Sequence, residues 1–231
     1  MSSIPLFGGK WKTPDPMHDN ETGERIAVFI SIPKNASQSI IKILKLGENR
    51  DEENTASLVV HENHQRARIL NQKFDLNNLF VFCFARNPYD RCVSWYRYHK
   101  NIEPYRSLSF YSWVMSEMPH HWTVQNRTDY ASEGITPLLQ CNFLEHYKVD
   151  FIGKLEDFPR DMEVIIERLN LICEEKKLKY RFRYVNKRIN RSKRATDFTR
   201  YYNPETEEMV YALLEKDFLH FGYDRCRITG K

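Results

Sequence analysis

Two stretches of the sequence place anion-binding residue types at the ends of apolar runs. In "VFISIPKNASQSIIKIL" (28–44) an apolar run ends at Pro33 and Lys34. The small polar stretch Asn35, Ala36, Ser37, Gln38 and Ser39 then leads into a second, periodic apolar run. That is the pattern of a strand, a loop and a helix, in which loop N–H groups and the helix N-terminus together attract an anion. Lys34 can reach the same anion with its ammonium, and Ser39 can donate its hydroxyl to a phosphate oxygen. In "FCFARNPYDRCVSWYRY" (82–98) Arg86 stands at the end of another apolar run, and Ser94 follows two helical turns later. Arginine offers a planar fork of donors suited to a phosphate dianion. Two strand ends with phosphate-type ligands point to one ligand carrying two separated phosphate groups.

The first loop contains no glycine, although phosphate loops are usually rich in it. It also fails the Walker A order G-x-x-x-x-G-K-[ST], because Lys34 precedes Ser39 by five positions. The nucleotide cradle and Mg²⁺-binding hydroxyl of a kinase are therefore out of place, and the anion is expected to be held without metal. Simpler readings compete with each residue taken alone. Lys34 can be a solvated lysine in an ordinary connection, Arg86 the partner of an acidic neighbour, and Ser94 a satisfied mid-helix hydroxyl.

Histidines supply the candidate proton acceptors. His61 and His64 lie in "VVHENHQRARIL" (59–70), and with an intrinsic pKa near ~6.5 a neutral imidazole is available at pH 7. Glu62, His99, His120 and His121 rank below them. Two histidines on a surface helix is the plain alternative.

The elements that position these residues follow from periodicity and caps. "RIAVFISI" (25–32), "LFVFCFA" (79–85) and "VDFIGKL" (149–155) read as buried strands. The run after Ser39 reads as a helix ended by Gly47, and residues 61–72 as another. Asn87, Pro88 and Asp90 mark the start of a third helix. Residues 105–148 are aromatic-rich and read as helices with loops. "DFPRDMEVIIERLNLI" (157–172) reads as a helix, and Asn203 and Pro204 open the last one. Strands alternating with helices argue for an α/β fold with a mainly parallel sheet.

The chain has 231 residues, 41% of them hydrophobic and 13% aromatic, enough for one sizeable core. Residues 1–24, rich in Pro, Gly and Asp, read as an N-terminal arm, and 25–231 as a single domain. The formal net charge of +4 suits an anionic ligand without demanding nucleic acid. No apolar run approaches the roughly 18–20 residues that span a bilayer, and no signal peptide is evident. Five scattered cysteines without a CxxC pair suggest neither a metal site nor a disulfide framework. The expected compartment is the cytoplasm.

The two stretches together resemble a known family. "IPKNASQSI" resembles the 5′-phosphosulfate loop of the sulfotransferases that use PAPS (3′-phosphoadenosine 5′-phosphosulfate). "RNPYDRCVSWY" resembles their 3′-phosphate motif, R-N-P-x-x-R-x-x-S-x-Y, with Arg86, Asn87, Pro88, Arg91, Ser94 and Tyr96 in place. "VDFIGKLEDF" is similar to a later family segment, with Lys154 where arginine is usual, and the C-terminal helix resembles that of the carbohydrate-sulfotransferase branch. The match runs over about residues 26–224 and is weakest over 97–148. Ser37 and Gln38 replace the family's usual Gly and Thr.

The resemblance implies a P-loop-like three-layer sandwich, with a central sheet flanked by helices. It implies that Pro33 to Ser39, Arg86 and Ser94 hold PAPS, with Lys34 beside the bridging oxygen, and that a sulfuryl group passes to a hydroxyl, expected on a carbohydrate. 3′,5′-ADP is the product and no metal takes part. His64, through the local pattern His64-x-x-Ala67, is the preferred base, with His61 second. Trp122 and Gln125 are implied at the acceptor. Ser192 and Lys193, in the basic stretch "KKLKYRFRYVNKRINRSKR" (176–194), are implied near the 3′-phosphate or adenine. Two other functions stay open: a P-loop-like nucleotide or nucleoside kinase, and a non-catalytic binder of PAPS or 3′,5′-ADP.

Overall fold

The computed structural model describes residues 24–47, 58–62, 64–120, 138–184 and 197–225. Its strands are β1 (Ala27–Ile30), β2 (Val59–His61), β3 (Phe80–Ala85) and β4 (Phe151–Lys154). Its helices are α1 (Ser37–Gly47), α2 (Ala67–Phe74), α3 (Pro88–His99), α4 (Phe110–Met115), α5 (Phe158–Glu175) and α6 (Pro204–Phe221). The strands form one parallel sheet in the order β2-β1-β3-β4.

Side chains of a strand alternate between its two faces, and the sheet buries both. Ala27, Phe29, Phe82 and Phe84 face α1 and α5, where Ile40, Ile43, Met162, Ile165 and Leu169 meet them. Val28, Ile30, Val81 and Cys83 face the other way, onto α2, α3, α4 and α6 through Leu70, Val93, Trp113 and Phe218. The result is an α/β fold around a parallel sheet, as the alternation of strands and helices implied, in the three-layer form that the resemblance implied. No helix among the described residues is long and apolar enough to cross a membrane.

One expected element is corrected. Residues 61–72 do not form one helix. His61 ends β2, where it pairs with Phe29 of β1, and the helix begins only at Ala67. The hydrogen bonds that make Val59–His61 a strand come from β1, so no local pattern marks it.

Candidate active site

In an open parallel sheet, ligands bind outside the carboxyl ends of the strands, where successive connections leave toward opposite faces. Here that point lies between β1 and β3. The chain leaves β1 for α1 on one face and leaves β3 for α3 on the other. Lys34 stands on the first connection and Arg86 on the second.

The first connection is strained and heavily braced. Lys34 and Ala36 have φ values of 68° and 58°, the left-handed region that disfavours side chains by about 1–2 kcal/mol per residue. Such a conformation persists where its surroundings over-determine it. The Ser37 hydroxyl donates to the Ile32 carbonyl at 3.0 Å. Arg91 Nε donates to the Pro33 carbonyl at 3.0 Å, and another of its nitrogens to the Leu138 carbonyl. Arg86 Nη1 donates to the Lys34 carbonyl at 2.8 Å. Left-handed residues thus do the work of the glycines this loop lacks. Ser37 and Gln38 open α1, where the first N–H groups have no intrahelical acceptor. Gln38 is exposed, and Ser39 is half-buried in the first turn.

Asn35 is turned away from the ligand side. Its amide is buried and donates to the Phe84 carbonyl at 2.6 Å and to Gln140 Oε1 at 2.7 Å. Gln140, also fully buried, ties the two connections together. Its Oε1 accepts from the Arg86 N–H at 3.0 Å, and its Nε2 donates to the Arg86 carbonyl at 2.9 Å. Asp217 of α6 holds Gln140 in turn, accepting from the N–H groups of Gln140 and Cys141 at 2.8 and 2.9 Å. Burial raises the Asp217 carboxyl above its usual range and pulls the buried Arg91 guanidinium down to about 10. The mutual attraction of the two groups opposes both shifts.

The second connection is regular. The Asn87 side chain caps α3, accepting from the N–H groups of Tyr89 and Asp90. Arg86 Nε and Nη2 reach Asp90 Oδ2 at 2.8 and 2.7 Å, so a phosphate at this fork shares it with that carboxylate or displaces it. Ser94 lies half-buried further along α3.

The two candidate bases differ in setting. His64 Nδ1 lies 2.8 Å from the Ser31 carbonyl and 3.2 Å from the Ser31 hydroxyl, at the end of β1. A carbonyl oxygen only accepts, so Nδ1 carries the hydrogen and the lone pair of the neutral ring sits on Nε2. His64 takes a left-handed φ of 56°. The α2 segment that follows is anchored by Glu145, which accepts from Arg66 at 2.9 Å and from the Arg68 N–H at 3.0 Å. His61 sits within β2, where burial and then Lys45 lower its pKa and Glu62 opposes them. His99 and His120 are core residues, packed against Trp95 at 5.6 and 4.3 Å between ring centres. His121, Trp122, Gln125, Ser192 and Lys193 lie outside the described residues.

Sequence reasoning missed Gln140 and Asp217 and noticed Arg91 only as part of a motif. One signal was available: Asp217 is a carboxylate beside Leu213, Leu214 and Phe218 on the apolar face of a helix, and a buried charge needs partners.

The fold is a three-layer α/β sandwich, and Lys34 and Arg86 stand on the two connections at the switch point of its parallel sheet. The Sulfotransferase family model matches residues 23–224, and the chain belongs to that family of transferases. An uncharacterized protein of Archaeoglobus fulgidus is 32% identical over 110 residues, which is 46% of this chain and 78% of that relative. No solved structure gives a significant match.

Proposed function

We propose that the chain transfers a sulfuryl group from PAPS to a hydroxyl, on a carbohydrate acceptor, in the cytoplasm. The observation that carries this reading is the pair of anion-ligand sets, Lys34 with the start of α1 and Arg86 with Ser94, on the two connections that flank one crevice. The donor's two separated phosphates match that pair. PAPS supplies an activated sulfuryl group whose leaving portion is the 5′-phosphate of 3′,5′-ADP.

Each residue then has a distinct role. Lys34 and the N–H groups opening α1 stabilise the charge that grows on the leaving phosphate oxygen, which is worth more in the transition state than in the ground state. Arg86 and Ser94 grip the 3′-phosphate and set the register of the donor. His64 Nε2 takes the proton of the attacking hydroxyl as its oxygen bonds to sulfur and the bond from sulfur to the phosphate oxygen breaks. The Ser31 carbonyl, through Nδ1, keeps the ring in the tautomer this needs. Arg91, Gln140 and Asp217 hold the two connections at a fixed separation.

Calorimetry with 3′,5′-ADP and 5′-AMP tests the donor assignment. Loss of the charge-assisted contacts to the 3′-phosphate is expected to cost roughly 2–3 kcal/mol, or about 30–150-fold in affinity. Equal affinities would overturn it. Transfer of labelled sulfate from PAPS to a panel of glycans and small alcohols identifies the acceptor, and nucleotide binding without transfer to any of them would favour a non-catalytic binder.

A further inference from the structure

The Lys34 ammonium lies 4.6 Å from the centre of the Tyr98 ring and 5.6 Å from that of Trp95. Both distances fall within the ~6 Å over which an aromatic face attracts a cation. The two rings differ in kind. Trp95 is buried among His99, His120 and the core, and it supports Tyr98 edge-on with 5.9 Å between ring centres. Tyr98 is 38% exposed, in the last turn of α3. It follows Ser94 by four residues, and residues four apart share a helix face. Ser94 and Tyr98 therefore stand on one side of α3, and Lys34 reaches that side from the opposite connection.

We propose that Tyr98 is a positioning residue that fixes where Lys34 Nζ stands over the crevice. This rests on the sulfotransferase reading above, in which Lys34 meets the leaving phosphate. A lysine stem of four carbons samples many rotamers when unrestrained. A carboxylate could restrain it, but would neutralise the charge the reaction needs. An aromatic face attracts the ammonium and leaves its full charge for the phosphate. The attraction comes from the ring and not from the hydroxyl, so phenylalanine serves as well as tyrosine.

The test compares Tyr98→Phe with Tyr98→Leu in the full chain. With Lys34 as ¹³C-dimethyl-lysine, assigned through Lys34→Arg, the methyl signal is shifted by ring currents in the wild type and in Tyr98→Phe. In Tyr98→Leu it moves toward the position of a solvated lysine. On unmethylated enzyme, Tyr98→Leu lowers kcat by about 10-fold while the 3′,5′-ADP Kd stays within about 3-fold, and Tyr98→Phe stays within about 2-fold of wild type in both. The proposal is overturned if the Lys34 signal ignores Tyr98→Leu, if kcat ignores it, or if Tyr98→Phe loses as much as Tyr98→Leu. A wild-type protein that transfers no sulfate overturns the sulfotransferase reading and the catalytic role with it, whereas the methyl signal decides the Lys34–Tyr98 contact by itself.

Discussion

Between β3 and α3 the chain turns in two residues, Arg86 and Asn87, both in ordinary conformations and with a side-chain cap on the helix. Between β1 and α1 it takes the six residues Ser31 to Ala36, two of them left-handed without being glycine. The short connection keeps relaxed backbone, capped by its own Asn87 and tied through Arg86 to Gln140. The long one is held by Arg86, Arg91 and Gln140 from elsewhere in the chain. The difference shows two ways to shape connections at neighbouring strand ends. One uses local capping. The other uses strain held in place by buried polar contacts, and it sets where Lys34 stands.

The largest expected effect lies where the long connection meets the chemistry. His64→Ala should lower turnover by ~10²–10⁴ and leave 3′,5′-ADP affinity within a few-fold, because the proposed role of the ring is to accept the hydroxyl proton and not to hold the nucleotide. Lys34→Ala should lose turnover and donor affinity together. Steady-state kinetics with calorimetry separates the two patterns, and near-normal turnover in His64→Ala would move the base elsewhere, His61 being next.

Gln140→Leu attacks the tie between the connections. It strands one N–H of the buried Asn35 amide and both backbone groups of Arg86, at about 1–3 kcal/mol for each group left unsatisfied. Urea unfolding should show a total loss of at least about 3 kcal/mol. A loss below ~1 kcal/mol would mean that the long connection stands without its brace.

Smaller changes should move the two connections in opposite directions. Ala36→Gly relieves a left-handed alanine and should stabilise by up to about 1 kcal/mol. Asn87→Ala removes a cap and should destabilise by about 1 kcal/mol. Thermal unfolding reads both signs, and a destabilising Ala36→Gly would show that strain is not what distinguishes the long connection.

The smallest effect concerns His61. Its folded pKa is lowered from 6.5, first by burial and then by Lys45, so the unfolded chain binds this proton more readily than the folded one. The stability tied to the neutral ring is present in full above pH 6.5 and is lost as pH falls through 6.5 toward the folded value. His61→Gln should therefore lose less stability than the wild type between pH 7 and pH 5. Denaturation midpoints at the two pH values measure this, and equal losses would contradict it.

Much of the frame was legible because its signals are local. Three strands were visible as apolar runs bounded by breakers, and α3 and α6 as Asn-Pro starts before periodic apolar faces. The motif Arg86-Asn87-Pro88 with Arg91 and Ser94 was equally plain, since a capped helix fixes the spacing of its residues. β2 was not legible, because three residues become a strand only by pairing with β1. His61 was consequently read as helical.

The sequence by itself determined the alternation of strands and helices, because hydrophobic period and capping act over a few residues, and its motifs carried the resemblance to the family. Only the tertiary structure decided which way the side chains face. It turned Asn35 inward onto Phe84 and Gln140, tied Gln140 to Asp217 across 77 positions, hung His64 on Ser31, and set Lys34 over the ring of Tyr98. Those directions follow from burial and from hydrogen bonds between distant segments, whose energies exist only once the sheet has brought the segments together.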